Sequence, residues 1–82
     1  MNYKLYSIMV KVMENPGMGY FIIYKMHAID EKNALEIVFL ESELIGKELS
    51  VEEVDCIGNA PVFAISNKII EKSGKSYFSL ND

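Results

Sequence analysis

The chain contains no arginine; its basic residues are eight lysines, set against twelve Asp and Glu, for a net charge of −4. Arginine supplies the planar forks that grip phosphates and guanine edges. An acidic, arginine-free chain is therefore poorly equipped for nucleic-acid binding. Lysine in place of arginine, with plentiful Ile and Asn, fits an AT-rich genome. There is one cysteine, Cys56, so no internal disulfide can form. There is one histidine, His27, which together with a lone cysteine is too few for a zinc site of usual composition. Long uncharged runs are missing as well. The longest, from Cys56 to Asn67, is well short of the roughly 20 residues that span a bilayer. Lys4 and Lys11 break up the apolar stretch that a signal peptide would need. A reducing cytoplasmic setting is the expectation. No repeat, low-complexity tract or linker divides the sequence, and residues 1–82 are read as a single domain.

What the chain does have is apolar residues, half of its 82 positions. A chain this short buries only about 60–65% of its unfolded surface, so it needs such richness to build one core. The charge is uneven. Residues 30–55 carry −7, and the remainder carries +3. Such asymmetry can orient the approach of a basic partner, or simply mark a solvated helix face and loop.

The first thirty residues read as a β-hairpin. Tyr3 to Met13 and Tyr20 to Ile29 are rich in β-branched and aromatic residues, and Asn15-Pro16-Gly17-Met18-Gly19 between them is a turn. Four of the five tyrosines (Tyr3, Tyr6, Tyr20 and Tyr24) lie in this hairpin, where cross-strand aromatic pairs add stability. Both strand faces are apolar. Tyr6, Ile8, Val10, Val12, Ile22 and Met26 lie on the even side, and Leu5, Met9, Met13, Phe21, Ile23 and Ile29 on the odd side. One helix can cover only one of them.

That helix is expected to start at Asp30, whose carboxylate can cap it, and to stop near Gly46. Ala34, Ile37, Val38, Glu41, Leu44 and Ile45 form its stripe, and Leu35, Phe39 and Leu40 widen the apolar arc beyond one contact. Ser50-Val51-Glu52-Glu53 fits a capping box, but alternation favours a strand through Val54-Asp55-Cys56-Ile57. Residues 62–72 suit either a helix that stops at Gly74 or strands with Ser73-Gly74 as a tight turn into Lys75 to Leu80, and the tail from Tyr77 to Leu80 reads as a strand. The expected fold class is α+β: an antiparallel sheet opened by an N-terminal β-hairpin, one main helix packed on a face, and a C-terminal segment completing the sheet or covering its other face.

No motif here carries chemistry. Ser73-Gly74-Lys75-Ser76 resembles the end of a phosphate loop, but Ile69 stands where the first Gly of that motif belongs. Gly17-Met18-Gly19 lacks the third Gly of a dinucleotide fingerprint and leads into a strand. Cys56 and His27 would need a third positioned group to act as a nucleophile–base pair. Glu52, Glu53 and Asp55 cluster, but without the Gly and spaced oxygen ligands of a calcium loop. No catalytic residue, metal ligand or cofactor is assigned. The expectation is a small non-enzymatic protein-interaction module that binds a protein partner or forms a homodimer, with Phe21, Ile23, Leu35, Phe39 and Leu40 as interface residues. Two alternatives are a small-molecule or metal-dependent function at Glu52, Glu53, Asp55 and His27, and nucleic-acid binding by the hairpin with Lys4, Lys11 and Lys25.

Overall fold

A computed structural model describes residues 2–80. The hairpin forms as expected: β1 (Lys4–Asn15) pairs antiparallel with β2 (Met18–Ala28), in register from Lys4 opposite Ala28 to Met13 opposite Gly19, after which a shift at Glu14 sets Asn15 opposite Met18. Pro16 and Gly17 make the turn, and Gly17 has φ +82°, a conformation that side chains resist. After the helix α1 (Glu31–Phe39) come β3 (Glu48–Asn59), β4 (Lys68–Lys72) and β5 (Ser76–Ser79). The sheet is antiparallel, in the order β3-β1-β2-β4, with β5 also on β2. This is an α+β fold dominated by its sheet.

The period-two pattern of the hairpin decides the core. Tyr6, Ile8, Val10, Val12, Tyr20, Ile22, Tyr24 and Met26, all on the even side, are buried. Ala28, Ala34, Val38 and Leu44 share their cluster, and Leu35, Ile37, Leu49, Val51, Val54 and Ile69 pack against it. Full burial of one such aliphatic side chain contributes roughly 1.5–3 kcal/mol, so this side holds the fold together.

Helix α1 starts where the sequence says it should. The Asp30 carboxylate accepts a hydrogen bond from the Asn33 backbone N–H at 2.8 Å. It ends earlier than expected, with Leu40 as its cap and not near Gly46. Residues 41–47 instead form tight turns, with Leu44 N–H bonded to the Glu41 carbonyl and Lys47 N–H to the Leu44 carbonyl. Gly46 sits at φ +81°. These turns carry Leu44 into the core and Glu43 to the Tyr24 hydroxyl.

The capping-box helix at Ser50 does not form. The strand there is longer than expected and runs the whole length of β1. Two register shifts leave Glu52 and Ile57 as extra residues in β3. The helical reading of residues 62–72 also fails: Pro61–Asn67 are irregular and β4 follows. Ser73-Gly74 is not a hairpin turn. β4 and β5 lie end to end against β2, and Ser73–Lys75 bridge the break between them. The C-terminal segment thus completes the sheet and leaves the odd side open.

Candidate interaction face

Register places the odd-side residues in rows. Leu5 lies beside His27, Ser7 beside Lys25, Met9 beside Ile23, Lys11 beside Phe21 and Met13 beside Gly19. β3 adds Asp55 next to Ser7, Glu53 next to Met9, Ser50 next to Lys11 and Glu48 next to Met13. On the far edge Lys68 lies next to His27, Glu71 next to Lys25, Ser76 next to Phe21 and Phe78 next to Gly19. The odd residues of β1 and β2 are half-buried from Leu5 to Met13 and from Phe21 to His27. No described helix or strand lies over them.

The centre of this side is apolar. The Phe21 and Phe78 rings meet with centroids 5.1 Å apart, and the Lys11 ammonium lies 5.3 Å from the Phe78 centroid. Met9, Phe21 and Ile23, with Ser73 to Ser76, line a cleft of about 540 Å³ at the break between β4 and β5. Ser73 makes that break possible. Its N–H bonds the Ile23 carbonyl at 2.8 Å, and its hydroxyl accepts the Ile23 N–H at 2.9 Å. A side chain thus stands in for a missing ladder bond. Charge forms the rim. Lys25 pairs with Glu71 at 3.4 Å on one edge. Glu53 and Asp55 crowd together on the other, where a shared hydrogen bond and the Asp55 charge hold the Glu53 carboxyl above the usual range.

The expected interface residues do not form one patch. Phe21 and Ile23 lie on the open side. Leu35 packs against the core from the other side of the sheet, and Phe39 (48% exposed) and Leu40 (76% exposed) follow it at the end of α1. The apolar surplus of the helix arc splits accordingly: Leu35 is used by the core, while Phe39 and Leu40 stay in solvent. Phe78, which completes the open patch, was hidden in a tail whose register on β2 only the fold supplies.

The residues singled out for chemistry are dispersed. His27 is on the open side of β2, whereas Cys56 is opposite Tyr6 on the helix side of edge strand β3. Glu53 and Asp55 are separated from His27 by β1. Among the described residues no group of three or more His, Cys, Asp or Glu side chains is placed to hold a metal ion. Lys11 and Lys25 share the open side, but Lys4 alternates to the other.

A polar cluster on the helix side escaped sequence reasoning. The Tyr24 hydroxyl donates to Glu43 Oε1, and Lys72 Nζ donates to Glu43 Oε2 at 3.2 Å. Burial, reinforced by this hydrogen bond and the Glu43 charge, pushes the Tyr24 phenol far above its usual range. The Tyr24 hydrogen bond, with Lys72 behind it, holds the Glu43 carboxyl below the usual range. Beside it, Tyr20 is wholly buried, its ring 4.7 Å from the Lys75 ammonium, 5.7 Å from that of Lys47 and 5.4 Å from the Tyr77 ring. Tyr24, Glu43 and Lys72 thus satisfy one another, whereas the buried Tyr20 hydroxyl has no hydrogen-bond partner among the described residues.

No protein-family model, curated protein or solved structure matches this chain.

Proposed function

We propose that this protein is a non-catalytic protein-binding module that engages its partner through the open side of its sheet. The observation that carries this reading is the apolar centre of that side. In a sheet with one solvated face, the solvated face is ordinarily polar. Here Met9, Phe21, Ile23 and Phe78 lie together, with charged residues around them. An apolar centre within a polar rim is the anatomy of protein interfaces. The dispersal of His27, Cys56 and the β3 carboxylates supports binding over catalysis.

The test is capture from an extract of the source organism. Immobilised wild-type protein should retain specific proteins that Ile23→Lys and Met9→Lys do not. Glu36→Lys, on the exposed face of α1, serves as control and should retain them. Equal retention by the wild-type protein and both open-side variants would refute the reading.

A further inference from the structure

We propose that the helix side of the sheet carries an anion site, built from the Lys47 and Lys75 ammoniums and the Tyr20 hydroxyl, that takes a phosphate group, free or in a small phosphomonoester. It lies across the sheet from the protein-binding face and does not depend on that reading.

Separate observations meet at the Tyr20 ring. Tyr20 is wholly buried, and its hydroxyl has no hydrogen-bond partner among the described residues. Burying an unpaired hydroxyl is unfavourable, and phenylalanine would fill the same space without that cost. Tyr24, on the same face of β2, shows the ordinary arrangement: its hydroxyl donates to Glu43.

Two ammoniums from distant segments flank this one ring. Lys47, in the turns before β3, lies 5.7 Å from the ring centroid. Lys75, in the break between β4 and β5, lies 4.7 Å from it. Neither forms an ion pair with a described carboxylate; those pairs are Lys25–Glu71 and Lys72–Glu43. Like charges repel, and a neutral ring offsets two of them only weakly.

The chemistry of the three groups selects the ligand. Lysine donates hydrogen bonds and accepts none, and the unpartnered phenol has a proton to donate. Donors and two positive charges call for an acceptor that carries two negative charges. A phosphate group has both properties near neutral pH. Glu43 does not compete, because Tyr24 and Lys72 already engage its two oxygens. Lys47, Lys75 and Tyr77 are exposed, and the Tyr77 ring lies 5.4 Å from that of Tyr20. The long lysine stems swing readily, so they part to admit the anion and close on it. The buried ring meanwhile holds the hydroxyl in place.

Isothermal titration calorimetry with inorganic phosphate, near neutral pH and at fixed ionic strength, tests the site. Saturable binding of one phosphate per chain is expected, and acetate should not compete. Lys47→Gln and Lys75→Gln should each raise the dissociation constant about tenfold. Tyr20→Phe keeps the buried ring and should raise it about fivefold, with unchanged circular dichroism. Lys11→Gln and Lys25→Gln, on the open side, should bind as wild type does. Glycerol phosphate distinguishes the sources: binding like that of phosphate supports a site for the esterified group, and phosphate binding alone supports a site for the free ion. Absence of saturable phosphate binding would overturn the inference. So would equal weakening by Lys11→Gln, which would mark a diffuse charge effect. Full affinity in Tyr20→Phe would also overturn it, because two surface lysines would then suffice. None of these outcomes bears on capture of a host protein by the open side.

Discussion

Two buried tyrosines on the same face of β2, Tyr20 and Tyr24, illustrate how differently one residue type can be used. Tyr24 gives its hydroxyl to Glu43, whereas the buried Tyr20 hydroxyl has no hydrogen-bond partner among the described residues. Tyr24→Phe leaves a partly buried carboxylate without its donor, and hydrogen bonds to charged groups contribute roughly 1.5–3 kcal/mol. A loss of that order is expected in urea melts. Tyr20→Phe removes no protein hydrogen bond and keeps the ring that Lys47 and Lys75 face, so stability should stay within about 0.5 kcal/mol or rise. The same network predicts a pH response. Glu43 titrates lower in the folded chain than its ordinary value of 4.5. Its contribution is fully present above 4.5 and is lost as pH falls from there through the lower folded value. Glu43→Gln should flatten that part of the stability–pH curve relative to wild type. The hydroxyl-to-carboxylate contact was invisible in the sequence, because Tyr24 and Glu43 are joined by a connection whose turns no periodicity announces. Asp30, by contrast, was legible: a cap acts within three residues, and Asn33 is where the geometry requires.

At the level of elements, the hairpin was readable because two local signals agree: alternation over both strands and a Pro-Gly turn. Its two key glycines act differently. Gly17 needs its positive φ, so Gly17→Val should cost about 1–2 kcal/mol. Gly19 needs space, since a Cβ there would lie 2.2 Å from the Val12 carbonyl oxygen. Gly19→Ala should therefore destabilise more than Gly17→Ala, because backbone must move. Elsewhere local signals compete with long-range pairing. The capping box at Ser50 lost to a full-length ladder with β1, which satisfies more backbone groups than a short helix would. Residues 68–79 were ambiguous because the partner that makes them strands, β2, is some fifty residues away in the chain. Ser73 is the least legible piece: nothing marks a serine as the patch for a broken strand. Ser73→Ala should cost about 0.5–1.5 kcal/mol and speed hydrogen exchange at the Ile23 amide above that of its neighbours.

At the scale of the molecule, a thin architecture raises the question of what the second sheet face is for. The chain spans 46 × 22 × 17 Å, one sheet with a helix on one side. Apolarity on both faces of the hairpin was visible in the sequence, but whether the C-terminal segment would cover the second face depended on its pairing. It pairs in plane with β2, so Met9, Phe21 and Ile23 remain at the surface. The helix arc pointed to a second apolar patch, and the structure divides that arc between core and solvent instead. Hydroxyl-radical footprinting addresses the open face directly, in dilute protein, in concentrated protein and in host extract. Labelling of Met9, Phe21 and Ile23 should fall in the concentrated protein or the extract, while Leu40 and Ile45, exposed beyond α1, stay as reactive as in dilute protein. Unchanged labelling of the three open-face residues under all conditions, or protection of Leu40 and Ile45 in their place, would contradict the account.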